Sequence, residues 1–378
     1  MKKRRKLKVL ATVFTVVTTL LIISGCQSEY NALDNPDLER TPLPPEELPP
    51  IGTEGFGFVF GVVPVGEGLA NPTFDPDNLE AYVPSTGQYQ FESTKDAMQV
   101  IFHNVSHEPR NFLLKVFLNY EEASFRILGT EEYVTEFHFT VEGGYEIKIP
   151  FTLDLDPPYE DYTYRLTATL FAEPHLHSMI DNSDLLSESF APIVGVDLVF
   201  GAGSPISLAT RYNYIPLERS YFRGIAPLNI RPYALPTLDS LWEGSDFHWY
   251  DPPIQVERGS EVTFSYFASP TPMFINLEDI TPEFIAEHPE VIVQNYVIVA
   301  LLDWQPLEIN GKPFLFVEIE DPDRYHPTDF GWLTFTVPDE PGFYEFIGIL
   351  SPNATIHSTA MGFFSPRASF RLTLEVIE

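Results

Sequence analysis

Short apolar runs, each closed by Gly, Pro, Asn or Asp, recur along most of the chain, and their lengths suit strands rather than helices. A first set covers 56–63, 98–105, 112–118, 125–128, 134–141, 145–153, 162–171 and 193–200. Within it, Tyr162, Tyr164, Leu166, Ala168 and Leu170 alternate with Thr163, Arg165, Thr167 and Thr169, which predicts a strand with one buried and one wet face. Gly143 and Gly144 are a hairpin signal between two of these runs. Strands at this spacing predict an antiparallel sandwich over 52–203. A second set covers 262–267, 291–302, 314–319, 333–337, 343–350 and 370–376, giving a second sandwich over 254–378. There, Asn310 and Gly311 between Ile309 and Lys312 form a two-residue hairpin signal. Thr281, Pro282, Phe284, Ile285 and His288 predict one short capped helix.

Composition sharpens this into an all-β fold class. The 378 residues are 44% hydrophobic and 14% aromatic, with 35 Pro, 22 Gly, 31 Phe and 18 Tyr. Proline is costly inside helices and Phe and Tyr suit a pleated surface, so long helical bundles are excluded. An internal echo links the halves. Phe151, Thr152, Leu153, an Asp/Pro turn, Tyr162 and Tyr164, a strand, then His177 and Ser178 can be laid over Phe335, Thr336, Val337, an Asp/Pro turn, Tyr344, a strand, then His357 and Ser358. Two related units, or two unrelated sandwiches obeying the same turn chemistry, would both produce it. The second turn, with Asp339, Pro341, Gly342 and Tyr344, resembles the tyrosine corner of immunoglobulin-like sandwiches, which implies that the Tyr344 hydroxyl ties down an arching connection. The expected architecture is therefore two antiparallel immunoglobulin-like β-sandwich domains joined by a Pro- and aromatic-rich segment, 204–253.

The amino-terminal end has a different character. Six basic residues within the first eight positions precede an uncharged apolar run over 9–23 and then Ser24, Gly25 and Cys26. That run is short for a spanning helix and suits the centre of a signal peptide over 1–25. Ile23, Ser24, Gly25 and Cys26 resemble the lipobox of bacterial lipoproteins, and Cys26 is the single cysteine. The resemblance implies cleavage before Cys26, a lipid on its sulfur, and a membrane-tethered, extracytoplasmic body. Residues 26–51, polar and rich in Pro, then read as a flexible acidic tether. Absence of other cysteines excludes disulfide frameworks and thiolate zinc sites from the body.

Net charge is −32, and without the six leading basic residues 16 basic face 54 acidic residues, a net of −38. Such a surface repels phosphate backbones, so nucleic acid is not a partner. Against this background the strip around Arg211, Tyr214, Arg219, Tyr221, Arg223, Arg231, Trp242 and Trp249 is locally basic and aromatic. It is the candidate binding surface, for an envelope protein or a glycan, because Arg and aromatic side chains dominate binding hot spots; packing of the same residues as a seam between the sandwiches is the competing reading. The turn carboxylates Asp154, Asp156, Asp161, Asp321 and Asp323 are candidate calcium ligands, calcium being the one cofactor such oxygen-rich loops suit. His175 with His177, and His103 with His107, lack a third zinc ligand at a telling spacing. No nucleophile elbow, Walker loop or His-Glu-x-x-His motif occurs, so no catalytic residues are assigned. The reading is a non-catalytic binding or structural lipoprotein of the cell envelope, with a carbohydrate-binding lipoprotein or a carboxylate-dependent hydrolase as alternatives.

Overall fold

Side chains that alternate between two environments, or that are apolar on both sides, dictate the strands seen in a computed structural model of the chain. It describes residues 38–45, 48, 58–68, 88–93, 96–155, 162–180, 193–201, 215–216, 228–232, 252–268, 293–319, 329–354 and 366–378. Among these residues there is no α-helix. The amino-terminal half contributes β1 (Glu39–Pro42), β2 (Phe58–Pro64), β3 (Gln88–Phe91), β4 (Met98–Asn104), β5 (Arg110–Leu118), β6 (Glu121–Glu122), β7 (Phe125–Ile127), β8 (Glu136–Val141), β9 (Tyr145–Leu153), β10 (Thr163–Ala172) and β11 (Ile193–Phe200). The carboxy-terminal half contributes β12 (Ile215–Pro216), β13 (Leu228–Pro232), β14 (Ile254–Glu257), β15 (Glu261–Ala268), β16 (Asn295–Leu302), β17 (Gln305–Leu307), β18 (Leu315–Glu318), β19 (Asp329–Thr336), β20 (Gly342–Pro352), β21 (Arg367–Ala368) and β22 (Leu372–Ile377).

These strands form four sheets. An outer sheet of the first half runs β1-β9-β4-β2 with β7 also on β9, and an inner sheet runs β3-β11-β10-β5-β6 with β8 also on β5. In the second half the inner sheet runs β14-β22-β20-β16-β17, with β18 and β21 attached, and the outer sheet runs β12-β19-β15-β13. One apolar core, including Phe102, Phe112, Phe151 and Leu166, lies between the first pair of sheets, and another, including Phe264, Tyr296, Phe335 and Phe346, lies between the second pair. A third cluster, with Leu113, Phe117, Phe171, Val297, Val299 and Ile347, joins the opposite faces of the two inner sheets. The chain is thus all-β, two sandwiches whose inner sheets meet face to face. Burial of each Leu, Val or Phe side chain stabilises the stack by about 1.5–3 kcal/mol.

The halves have the same topology. Each inner sheet begins with a parallel pair, β3 on β11 and β14 on β22, and continues through antiparallel neighbours in corresponding order. Each outer sheet contains the matching path β9-β4-β2 or β19-β15-β13. The sequence echo falls on matching strands, β9 with β19 and β10 with β20. The expected tyrosine corner is present, with the Tyr344 hydroxyl donating to the Glu340 carbonyl at 2.9 Å. Asn310 and Gly311 form the expected tight turn with φ of 53° and 70°, closed by hydrogen bonds between Ile309 and Lys312.

Four expectations are corrected. The polar face of β10 is not wet: Thr163, Arg165, Thr167 and Thr169 are all buried, because an inner sheet is covered on both sides. Residues 26–51 are not tether throughout, since Glu39–Pro42 pairs with β9 and Lys148 holds Glu39 at 2.8 Å. Segment 204–253 is not merely a connector, since β12 and β13 lie in the second outer sheet. Gly143 and Gly144 do not turn a hairpin; they carry the chain from β8 in the inner sheet to β9 in the outer one. Gly143 is required there because a Cβ would lie 2.3 Å from the His107 backbone. The predicted helix at 281–288 lies outside the described residues.

Candidate functional site

Largely apolar strands end in unusual turns on both inner sheets. The run Phe112–Leu118 stops at Asn119 and Tyr120, with φ of 50° and 74°, and the run Tyr296–Leu302 stops at Asp303 and Trp304, with φ of 49° and 67°. Two consecutive left-handed residues make the two-residue hairpin whose twist suits the flanking strands, β5 to β6 and β16 to β17. Asn and Asp accept that conformation readily, whereas Tyr and Trp rarely do. Their rings explain the exception. The Tyr120 hydroxyl donates to the Ala354 carbonyl at 3.0 Å, and Trp304 Nε1 donates to the Pro174 carbonyl at 2.9 Å. Each aromatic side chain therefore crosses from its own half and caps the chain leaving the central strand of the other.

The surrounding contacts are matched. Asn119 N–H donates to the Arg165 carbonyl and Asp303 N–H to the Glu345 carbonyl. Glu173 and Asn353, both with positive φ, donate from their N–H groups to the Asn111 and Asn295 carbonyls. Trp304 also packs against Phe171, the rings tilted by 36° with centroids 4.7 Å apart, and lies under the Arg371 guanidinium, likewise at 4.7 Å.

Two buried ion pairs complete this joint. Arg165 grips Asp197 through two hydrogen bonds, of 2.7 and 3.2 Å, and reaches the Asn353 carbonyl of the other half at 3.3 Å. Burial opposes the Arg165 charge, but Tyr120 and Asp197 beside it hold its pKa above the usual value, and burial pushes that of Tyr120 up. Glu345 accepts Arg371 Nε at 3.2 Å, the Thr373 hydroxyl at 2.5 Å and the Ser178 N–H of the other half at 3.1 Å. Burial works against the Glu345 charge, yet nearby His177, the charge of Arg371 and the hydrogen bonds from Thr373 and Ser178 hold its carboxyl below the ordinary range. Arg371 also donates to the Ala172 and Leu176 carbonyls, at 2.9 and 2.6 Å. Lys115, fully buried on the same face of β5, pairs with Glu122 and Glu136.

Of the sequence-predicted site residues, Cys26, Arg211, Tyr214, Arg219, Tyr221, Arg223, Trp242, Trp249, Asp156, Asp161, Asp321 and Asp323 lie outside the described residues. Arg231 is held in β13 opposite Ser265. Asp154 is exposed just after β9, and among the described residues no cluster of three His, Cys, Asp or Glu side chains is placed to hold a metal ion. His175 and His177 sit in the segment after β10, near Glu173 and Glu345 at 3.8 and 3.7 Å, while His103 bonds Glu146 at 2.8 Å. Sequence reasoning missed Tyr120, Arg165, Asp197, Trp304, Glu345 and Arg371. A signal did exist: two runs, apolar on both faces but for Lys115, each end in Asn or Asp followed by an aromatic residue.

No protein-family model and no curated protein sequence matches the chain. Solved structures give weak likenesses. The C-terminal domain of the Streptococcus agalactiae antigen I/II polypeptide BspA aligns at TM-score 0.21 and 8% identity, covering 76% of this chain and 95% of that one. The C-terminal domain of the Streptococcus pyogenes antigen I/II-family protein AspA aligns at 0.20 and 9%, covering 76% and 94%. Red sea bream transglutaminase aligns at 0.18 and 10%, covering 75% of this chain, which spans only 29% of that enzyme. Likenesses at this level carry nothing about activity.

Proposed function

We propose that this protein is a lipoprotein, anchored outside the cytoplasm through lipid on Cys26, whose body is a rigid, non-catalytic binding or structural module. The observation that carries the reading is the lipobox-like Ile23-Ser24-Gly25-Cys26 followed so soon by folded chain: residues 27–38 alone separate Cys26 from β1. Fully extended, they reach roughly 40 Å, which would hold the body near the bilayer surface. The strongly acidic surface gives no electrostatic attraction to anionic headgroups, so the anchor has to be the acyl chains, at about 0.8 kcal/mol per buried methylene. The non-catalytic part of the reading is supported by where the buried ionisable groups are spent. Arg165, Asp197, Glu345 and Arg371 all face partners across or beside the joint, as structural ion pairs do.

Metabolic labelling with a palmitate analogue tests the anchor. The wild-type chain is expected to take up label and partition with membranes. Cys26→Ala is expected to lose both. Equal labelling of the two would overturn the reading.

A further inference from the structure

We propose that the joint between the two inner sheets is a self-sufficient interface of the kind that holds separate subunits together, pinned reciprocally by Tyr120 and Trp304, so that the halves stay associated when the chain between them is cut. This goes beyond the anchoring reading and does not depend on it.

Three observations carry it. First, the pins are reciprocal: each half lends one aromatic side chain from a matching hairpin to a main-chain carbonyl at a matching place in the other, Ala354 or Pro174. Second, buried polar groups of each half reach across to main-chain groups of the other. Arg371 donates to the Ala172 and Leu176 carbonyls, Arg165 to that of Asn353, and Glu345 accepts from Ser178 N–H. Parting the halves would strip these groups of fitted main-chain partners, and a buried donor or acceptor left without one costs its desolvation. Third, the centre is dry and apolar, with Phe171, Val299 and Ile347 each at most 4% exposed, ringed by Arg and aromatic anchors. That is the anatomy of an interface between subunits, with a desolvated core and Trp, Tyr and Arg as its strongest contacts. None of these contacts needs the covalent connection beyond residue 201.

The test uses the full chain with a protease recognition sequence inserted between Gly203 and Ser204. After complete cleavage at micromolar concentration, light scattering on a sizing column is expected to find one species with the mass of both fragments. Two separate fragments would overturn the proposal. The pins are tested in the cut protein with Tyr120→Phe and Trp304→Phe together, which keep a ring and remove both hydrogen bonds. At about 1 kcal/mol for each net hydrogen bond, the fragment dissociation constant is expected to rise roughly 10- to 100-fold. An unchanged constant would remove the pins from the proposal. Tyr120→Ala with Trp304→Ala in the uncut chain is expected to bind an apolar dye that wild type excludes; equal binding by the two counts against the pins as well.

Discussion

Thr167 and Thr169 carry their hydroxyls into the joint-facing side of β10, where among the described residues neither finds a hydrogen-bond partner. A buried hydroxyl without a partner costs more than it returns. Thr167→Val and Thr169→Val keep the branched shape, and each is expected to stabilise by about 1 kcal/mol, read as a rise in the urea midpoint at constant slope. Asp303 presents the opposite imbalance. Burial raises its pKa, with Glu345 and Glu136 adding to the effect against the pull of His177, and its backbone is left-handed. Asn occupies the matching position 119, so Asp303→Asn is expected to stabilise by about 0.5–1 kcal/mol at neutral pH, measured by thermal denaturation. At this scale the residues of β10 were legible as two faces, but their exposure was not. A row of Thr and Arg looks alike whether water or another sheet covers it, and only long-range packing distinguishes the two.

Among elements, the runs at 112–118 and 296–302, apolar but for Lys115, did carry the missing information. A strand apolar on both sides belongs between two layers, whereas alternation marks a face open to solvent. Strand positions were legible because turn residues punctuate them. The short strands were not: β1, β6, β12 and β17 have only two to four residues each, and their pairing rather than their composition makes them strands. The Gly-Gly signal at 143–144 marked a turn correctly and its partner strands wrongly, since a glycine pair shows that the chain bends without showing where it goes. Two substitutions probe this level. Gly143→Ala would drive a Cβ to 2.3 Å from the His107 backbone, and Gly331→Ala would bring one to 2.5 Å from the Tyr266 ring. Backbone cannot yield as a side chain can, so Gly143→Ala is expected to cost about 2 kcal/mol or more and Gly331→Ala less, compared by circular dichroism melts.

For the molecule as a whole, the joint makes stability depend on acid. Glu345 titrates below its ordinary value when folded, so its contribution is complete above the unfolded carboxylate pKa and is lost as pH falls through the folded one. Between about pH 5 and pH 3 the urea midpoint of wild type is expected to fall. Glu345→Gln, which leaves Arg371 buried without its counter-charge, should be weaker at neutral pH and change less over that interval; parallel curves for the two proteins would assign the acid response elsewhere. The placement of β1 has a different consequence. This strand is exposed along its whole length, and Leu43 just beyond it is the first buried residue after it. For a body held at residue 26, a steady pull would therefore lift half-buried Leu38 from the edge of the core and then peel four exposed residues from the sheet edge, releasing roughly 14 Å of slack before Leu43 is drawn into water.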